Sequence, residues 1–401
     1  MNSSSIRPYS FWLIPILGAL VAFAPLSIDM YLSAFPQLAR DFPTMQGVAQ
    51  FSLACYLVGM AVGQIFYGPF SDRRGRKLPL YVGLSVYIVG SVGCALASSP
   101  ELLLACRFLQ AVGGCAGVVI PMAMVRDLFD HQSSARTLSS LMLVMGVAPI
   151  LAPWFGSHVL EAWGWRAIFW VLAVYGVLAI AAVRFVLPES LAPERRRSVS
   201  VAASARAYWH MLSERRFMGY ALAAGFSTAG MFAYIGASPT VLIEHYGLTP
   251  QVYTWVFGMN ACGLIAASQL NHRLLARFSP DRILWVSLAL MCVFGLSLLV
   301  AGVSGRGALP ALLASLFGFV ALLGFISPNT GAGAMAAHGA QAGSASALLG
   351  TIRFGISFFA GSAVGAFSDG SALTMGIVIA VCGSAALLSY LMLARTPASA
   401  L

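Results

Sequence analysis

The chain has 401 residues, of which 59% are hydrophobic and only 9% carry a charge. A typical soluble domain has about a quarter charged residues, so this composition excludes an ordinary soluble protein and predicts one whose solvent is a lipid bilayer. The 23 basic residues outnumber the 13 acids, but they form no basic stripe with interleaved aromatic residues, which argues against a nucleic-acid partner.

Apolar runs long enough to cross a bilayer recur along the whole chain. A helix needs about 20 such residues to cross about 30 Å of hydrocarbon. The runs predict an all-α integral membrane protein with twelve transmembrane helices, near residues 11–35, 47–70, 78–98, 101–125, 137–160, 166–187, 217–243, 250–272, 283–304, 309–334, 344–367 and 372–393.

A polar, Arg-rich stretch divides these helices into two groups of six. It predicts an N-terminal six-helix bundle at 1–187, a cytoplasmic linker at 188–216 and a C-terminal six-helix bundle at 217–401. Two such halves indicate a parallel repeat, which is typical of transporters with a binding site near the bilayer midplane. Because each half supplies the other with a partner, we expect a monomer.

The distribution of basic residues predicts the orientation. With a cytoplasmic N-terminus, 18 of the 23 basic residues fall on the cytoplasmic side, 3 fall outside, and Arg107 and Arg353 fall within spans. Cytoplasmic loops of membrane proteins are enriched in Lys and Arg. Both termini are therefore predicted to be cytoplasmic.

Asp29 is the acid that the sequence predicts inside a span, in the stretch PLSIDMYLS. A charge at the bilayer centre costs about 2.5–3.5 kcal/mol on insertion scales, so Asp29 is expected to face other helices. If Pro36 ends the first span, Asp29 lies about 10 Å below that end. Arg107 lies equally far below Pro100 in the fourth span, so the two charges are predicted at matching depth.

The sequence offers no site for another energy source. Its single lysine, Lys77, follows Arg76 and does not fit a nucleotide-binding GxxxxGK[ST] loop. The six histidines lack metal-ligand spacing, so no metal site, cofactor or catalytic centre is predicted. A proton is the expected coupling ion, carried by Asp29 with Arg107 and Gln110. A static strut between helices is the alternative role for these residues.

The loop GPFSDRRGRK resembles the signature between spans two and three of the major facilitator superfamily. Phe70 replaces the usual Leu of that signature. The resemblance implies a cytoplasmic latch that helps to hold the outward-facing state, and an ordinary basic turn is the alternative. The matching residues are Gly68, Asp72, Arg73, Gly75, Arg76 and Lys77.

Two further stretches resemble motifs of proton-driven drug exporters. RFLQAVGGCAG is similar to the fourth-span motif R-x-x-Q-G, which is linked to proton coupling, with Ala111 in place of Gly. GVAPILAPWFGSHVL is similar to the fifth-span antiporter motif, which it matches at Pro149, Pro153 and Gly156. Two prolines four residues apart bend a helix, and the bend is expected to seal one side of a cavity or to serve packing alone.

PLSIDMYLSAFP and GTIRFG narrow the resemblance to the bicyclomycin-resistance and chloramphenicol-efflux (Bcr/CflA) subfamily of 12-span drug:proton antiporters. Ser33 stands where that subfamily usually has Pro. The resemblance implies the major facilitator fold in a bacterial inner membrane. It also implies export of small neutral or amphiphilic drugs by alternating access, with the drug, protons and the lipid bilayer as partners and no cofactor.

Two other functions stay open at this point. One is export of an endogenous metabolite such as an amino acid. The other, from a different class, is an integral-membrane transferase, for which Asp127, Asp130 and His131 form the nearest cluster. Uptake by proton symport is disfavoured by the fifth-span proline pattern.

Arg353 is predicted close to the midplane of the eleventh span, without an acid in its own half of the chain. It is expected either to meet a backbone carbonyl or to line the substrate cavity. In the second case two bases and one acid face the cavity, which disfavours strongly cationic substrates. The predicted cavity residues are Tyr31, Phe226, Met231, Phe232, Tyr234, Asn260 and Arg353.

Overall fold

The structure, a computed structural model, describes residues 10–129, 131–196, 201–305, 309–338, 342–367 and 370–394. These ranges are helical and contain no β-strand, which confirms the predicted all-α class. The first eight helices are α1 Ser10–Val21, α2 Phe23–Asp29, α3 Phe35–Asp41, α4 Val48–Arg74, α5 Lys77–Ala95, α6 Pro100–Leu128, α7 His131–Trp163 and α8 Trp165–Phe185. The others are α9 Val201–Ser213, α10 Arg215–Ser238, α11 Pro250–Leu274, α12 Pro280–Ser304, α13 Leu309–Met335, α14 Ala342–Ala366 and α15 Ala372–Ser389.

Within the described ranges, ten helices are long and apolar enough to cross a membrane, and the bent pair around Ala22 brings the number to eleven. Helix α11 has 25 residues, which corresponds to about 37 Å, but its glutamines and asparagines make it less apolar than the others. The count of twelve spans and the cytoplasmic position of both termini stay predictions, and both termini lie outside the described residues.

The first predicted span is broken rather than continuous. Its helix axis bends by 42° between α1 and the segment Phe23–Asp41. Pro25 explains the break, because it has no N–H to donate to the carbonyl of Val21, where α1 ends. The prediction that Pro36 ends the span is wrong, since Pro36 lies in the first turn of α3, a position that tolerates proline.

Several helices begin with the same capping device. Ser99, Thr249 and Ser279 each precede a proline, and each side-chain oxygen accepts a hydrogen bond at 3.3 Å from the backbone N–H three residues on. The proline supplies helical φ at a position whose N–H has no partner within the helix. These Ser-Pro and Thr-Pro pairs therefore set the starts of α6, α11 and α12.

The chain forms two compact units, one with residues up to Ala34 and Val58–Val201, and one with Phe35–Leu57 and the residues from Ala202. In the first unit, α5 packs against α6 and α8, and α7 packs against α1 and α2. In the second unit, α10 packs against α13, α14 and α15, while α12 packs against α13 and α15. The predicted bundle limits at 187 and 217 stay predictions.

The predicted linker contains its own secondary structure. A short 3-10 turn spans Pro193–Arg195, and α9 follows at Val201–Ser213. The sequence analysis treated 188–216 only as a polar connection. It missed α9 because the run AASARAYWHML is short and mixed in polarity, unlike a bilayer span.

Helices α5 and α6 approach each other closely because glycines face their contact. A Cβ atom on Gly90 would lie 2.6 Å from the Cα of Gln110, and one on Gly113 would lie 2.8 Å from the Cα of Tyr87. Small residues permit such backbone contact between membrane helices. The close approach places the polar side chains of α5 beside those of α6.

We expect Gly90→Ala to separate α5 from α6, since the added methyl group would meet backbone atoms that have no room to move. Overpacking of this kind costs about 1–3 kcal/mol. Thermal unfolding of the purified protein in detergent measures the effect. Gly343→Ala is the matched control, because its Cβ would meet no atom within 4 Å. Equal melting temperatures for both variants would contradict this account of the packing.

Candidate functional site

Asp29 is the last residue of α2, and its side chain is buried with 4% exposure. The chain leaves the α-helix immediately after it and forms a 3-10 turn at Leu32–Ala34. Among the described residues, no ion pair involves the Asp29 carboxylate. The structure therefore places this acid where α2 ends within the first span, away from water and without a counter-charge in contact among the described residues.

Arg107 binds the chain on both sides of Asp29 rather than the carboxylate itself. Its Nη1 donates to the carbonyl oxygen of Ser27 at 3.1 Å. Its guanidinium carbon lies 4.7 Å from the ring centre of Tyr31 and 5.6 Å from that of Phe169. Arg107 is completely buried, and its positive charge is stabilised by the faces of two aromatic rings and by a backbone carbonyl oxygen.

A chain of hydrogen bonds holds Arg107 in this position. Its Nη1 donates to Oε1 of Gln110 at 2.7 Å, and Nε2 of Gln110 donates to the hydroxyl of Ser91 at 2.8 Å. Ser91 in turn donates to the carbonyl oxygen of Tyr87 at 2.8 Å. The Tyr87 hydroxyl lies 2.7 Å from Oγ of Ser27, which returns the network to α2.

The sequence analysis predicted Arg107 and Gln110 but missed Ser27, Tyr87, Ser91 and Phe169. Tyr87 and Ser91 are one turn apart on α5, a helix in which no motif was recognised. Their spacing puts both on one face, but only the packing of α5 on α6 shows that this face meets Gln110. No signal in the sequence pairs them with Ser27, sixty residues away from Tyr87.

The predicted antiporter motif lies directly beside Asp29. Gly156 of α7 packs against the backbone of Met30, so closely that a Cβ on Gly156 would lie 2.7 Å from the Cα of Met30. Pro149 and Pro153 lie within the same helix, with Pro153 buried. Gly156 therefore allows α7 to contact the backbone of Met30, the residue that follows Asp29.

The loop that resembles the superfamily signature is built around Arg76. Its Nη1 lies 2.6 Å from Oδ1 of Asp72 and 2.8 Å from Oγ of Ser71, and its Nε lies 2.7 Å from Oδ2 of Asp127 in α6. Burial alone lowers the pKa of the Arg76 guanidinium, but the hydrogen bonds and charges of Asp127 and Asp72 outweigh burial, so its pKa is raised. Arg76 thereby ties the end of α4 to α6.

Other signature residues have different environments. Gly75 has a φ of 87°, a left-handed conformation that favours glycine and forms the turn between α4 and α5. Gly68 faces open space, since a Cβ there would meet no atom within 4 Å. Arg73 is half-buried in the last turn of α4. Lys77 donates from Nζ to the carbonyl oxygen of Leu187 at 2.8 Å.

Glu189 is a member of this cluster that the sequence analysis missed. Its Oε1 accepts from the backbone N–H of Arg76 at 2.8 Å, and its Oε2 accepts from that of Lys77 at 3.1 Å. A carboxylate at this place satisfies N–H groups at the start of α5 and complements the helix dipole. The first residues after α8 therefore cap a helix more than a hundred residues earlier.

The predicted cavity residues divide between the two units. Tyr31 lies in the first unit over the Arg107 guanidinium. In the second unit, Nδ2 of Asn260 donates to the Tyr234 hydroxyl at 2.9 Å, and both residues are buried. Phe226 and Met231 are half-buried on α10, and the ring of Phe232 lies 6.2 Å from that of Phe354.

Arg353 meets hydroxyl groups rather than the backbone carbonyl that the sequence analysis considered. Its Nε donates to Oγ1 of Thr228 at 3.1 Å, and its Nη2 donates to Oγ of Ser327 at 3.2 Å. Three helices, α10, α13 and α14, thus converge on this guanidinium. A separate cavity of about 170 Å³ in the second unit is lined by none of the predicted cavity residues; its lining is Glu214, Arg216, Phe217, Gly333, Ala334, Ala336 and Ala337.

Comparison with known proteins gives consistent relatives. A model of the Major Facilitator Superfamily matches residues 17–362. The chain is 35% identical to an uncharacterized MFS-type transporter, YdgK, of Bacillus subtilis, over 92% of this chain and 93% of the relative. It is 32% identical to a bicyclomycin resistance protein homolog of Haemophilus influenzae, over 95% of this chain and 96% of the relative. It is 30% identical to the multidrug resistance protein MdtL of Escherichia coli, over 83% of each chain.

Solved structures share the fold at low sequence identity. The xylose transporter XylE of Escherichia coli superimposes with a TM-score of 0.72 at 14% identity, covering 96% of this chain and 97% of that one. A bacterial homolog of the human lysosomal transporter Spinster gives a TM-score of 0.71 at 15% identity, covering 98% and 99%. At these identities the likeness concerns the arrangement of helices and not the substrate.

We expect Gly156→Ala to displace the backbone at Met30 and with it the neighbouring Asp29. Transport should fall strongly, because the added methyl group meets backbone atoms on both helices. Transport into membrane vesicles of a compound that the wild type accumulates, normalised to the amount of folded protein, measures the effect. Ser157→Ala is the control, since the one bond of its hydroxyl to the described residues goes to the carbonyl oxygen of Trp154 within the same helix. Full transport by Gly156→Ala would show that the contact does not position Asp29.

Arg76→Lys is expected to destabilise the cluster although it keeps the charge. Lysine lacks the planar fork that reaches Asp72 and Asp127 together, so one carboxylate loses its partner. Losing one hydrogen bond to a charged group costs about 1.5–3 kcal/mol, and the half-exposed Asp72 places the expected loss at the lower end of that range. Thermal unfolding in detergent measures it, with exposed Arg74→Lys as the control. A melting temperature equal to that of the control would refute this role of Arg76.

Proposed function

Because the chain belongs to the major facilitator superfamily, whose members are membrane transporters, we propose that it exports small neutral or amphiphilic drugs in exchange for protons. Relatives named for bicyclomycin resistance and multidrug resistance support export of drugs. The observation that carries the proton-coupled part is the buried Asp29 carboxylate at the end of α2 in the first span. The chain is a multi-pass protein of the bacterial inner membrane.

Asp29 has the properties that proton coupling requires. A carboxyl group removed from water holds a proton more readily than one in water, and access of water or a nearby positive charge reverses this preference. Asp29 lies at a helix end, where the backbone of Met30 and the 3-10 turn beyond it are able to rearrange without breaking a continuous helix. A change in its hydration therefore changes its occupancy by a proton.

Arg107 and Gln110 are proposed to tune this group. Arg107 is bonded two residues before Asp29, at Ser27, and stacks on Tyr31 two residues after it. A small movement of α2 against α6 would bring the positive charge nearer to the carboxylate and favour proton release. Gln110 and Ser91 keep the guanidinium aligned for that movement.

The signature loop and the antiporter motif are proposed to control the conformational cycle. The Arg76 cluster joins the ends of α4, α5 and α6 and includes Glu189 from the segment after α8. Such a cluster has few stable arrangements, so it favours discrete states over gradual bending. Pro149, Pro153 and Gly156 shape the helix that contacts the segment of Asp29, and this contact links the proton site to the bend in α7.

An enzymatic role has less support than transport. Of the cluster considered for a transferase, Asp127 is bound by Arg76 and by the Ser190 hydroxyl at 3.1 Å, and Asp130 lies outside the described residues. A carboxylate engaged in this way serves structure. We propose that the chain needs no cofactor and that the proton is its coupling ion.

Asp29→Asn tests the proposed function in everted membrane vesicles with an acidic interior. Accumulation of chloramphenicol driven by the pH gradient should fall to the level of vesicles without the protein, because asparagine does not bind and release a proton. Exchange of labelled for unlabelled drug, which needs no net proton transfer, should persist. Arg107→Ala should also weaken gradient-driven accumulation.

The matched control is Glu161→Gln, which removes an exposed acid at the end of α7. It should accumulate drug like the wild type. Unchanged accumulation by Asp29→Asn would exclude this residue as the proton carrier. If the wild type transports none of the drugs but exchanges an amino acid in the same vesicles, export of a metabolite would be the better assignment.

A further inference from the structure

Arg353 lies near the middle of a membrane helix and has no acidic partner. It is the twelfth residue of the 25-residue α14, about 16 Å from the start of that helix. Among the described residues, no carboxylate forms an ion pair with it. Ionisable residues at such a depth usually pair with one another or face a polar cavity, and they mark functional sites.

Two hydroxyl groups orient the guanidinium without neutralising it. Thr228 on α10 accepts from Nε, and Ser327 on α13 accepts from Nη2. A guanidinium has five N–H donors, so these two bonds leave three donors available for another acceptor. Hydroxyl groups are weak dipoles and do not offset the charge as a carboxylate would. The second unit thus holds a fixed, planar, positively charged donor group.

The Arg353 side chain is only partly enclosed by its neighbours. The side chain is half-buried, as is Ser327 beside it. Gly331 is one turn beyond Ser327, on the same face of α13, and a Cβ there would meet no atom within 4 Å. Met231 and Phe232 lie one turn beyond Thr228 on α10, and Phe232 contacts the ring of Phe354 next to Arg353. Polar donors, open space and apolar surface therefore occur together.

We propose that Arg353 binds an oxygen acceptor of the exported molecule, namely a carbonyl, nitro or carboxylate group. A guanidinium presents parallel N–H donors that match two oxygens in a plane, and it binds such groups more strongly than an ammonium does. Thr228 and Ser327 are positioning residues that hold the fork, while Met231 and Phe232 offer apolar contact. This inference rests on the proposed export function and defines which substrates it serves.

The proposal separates the roles of two buried arginines. Arg107 is enclosed by aromatic rings and bonded within its own unit, so it serves the proton site. Arg353 is half-buried and, within the described part of the chain, is held by the neutral hydroxyls of Thr228 and Ser327, so it serves the substrate. A substrate with a permanent positive charge and no oxygen would gain nothing at Arg353 and would be repelled by it.

Equilibrium binding to the purified full-length protein in detergent tests the proposal without any gradient. Three probes are used. Chloramphenicol carries a nitro group and an amide carbonyl, and 4-nitrobenzoate carries a nitro group and a carboxylate. Tetraphenylphosphonium is a cation without oxygen. We expect Arg353→Gln to weaken binding of chloramphenicol by about tenfold or more, the loss of one charge-assisted hydrogen-bonding group. Tetraphenylphosphonium should bind equally or more tightly.

Further variants separate binding from folding. Arg353→Lys should show an intermediate loss, because it keeps the charge but not the fork. Thr228→Val should weaken chloramphenicol binding, and Thr228→Ser, which keeps the hydroxyl, should restore it. Arg277→Gln, an exposed arginine beyond the end of α11, is the matched control and should bind all probes like the wild type.

Three results would overturn the proposal. They are undiminished chloramphenicol binding by Arg353→Gln, an equal loss for chloramphenicol and tetraphenylphosphonium, and a wild type that binds neither chloramphenicol nor 4-nitrobenzoate. Tighter binding of 4-nitrobenzoate than of chloramphenicol would identify a carboxylate as the acceptor that Arg353 prefers. Tighter binding of chloramphenicol would identify a neutral oxygen as that acceptor. If Arg353-dependent binding is found but a pH gradient drives no drug accumulation by the wild type, the proposed function fails and the binding role stands.

Discussion

The contact between the Arg107 guanidinium and the chain around Asp29 is the constraint on which the first unit depends. A buried charge in a membrane needs compensation, and here a backbone carbonyl, a glutamine side chain and aromatic faces provide it. Because the compensation comes from other groups, the Asp29 carboxylate has no ion-pair partner among the described residues, as the proposed proton carrier requires. A direct ion pair would instead keep Asp29 ionised and make proton uptake costly.

Close helix packing makes this arrangement possible. Gly90 and Gly113 allow the backbones of α5 and α6 to touch, which brings Ser91 within hydrogen-bonding distance of Gln110. Gly156 does the same for α7 at Met30. Membrane helices gain little from the hydrophobic effect when they associate, so contact between small residues and interhelical hydrogen bonds carry the packing energy. The same residues thus stabilise the fold and position the proposed proton site.

The surroundings of the arginine within a span differ between the two units, and this difference is consistent with different proposed roles for Arg107 and Arg353. In the first unit the surroundings of Arg107 are tight and include its own hydrogen-bond network. In the second unit the Arg353 guanidinium bonds, among the described residues, to the hydroxyls of Thr228 and Ser327, and a Cβ on Gly331, one turn from Ser327, would meet no atom within 4 Å. The proposed proton-coupled export requires a group that changes protonation and a group that recognises the substrate, and these two environments fit those tasks in turn.

The sequence by itself determined the helical membrane class, the place of most spans, the intramembrane charges and the family, because apolar run length and motif spacing are local properties. It failed at the break in the first span, at α9 and at the partners Ser27, Tyr87, Ser91 and Glu189. These features depend on which faces of distant helices meet, and sequence spacing does not specify the rotation of one helix against another. Only the tertiary structure showed that Arg107 contacts the backbone and rings beside Asp29, and that Arg353 rests on Thr228 and Ser327, since both outcomes follow from packing between helices far apart in the chain.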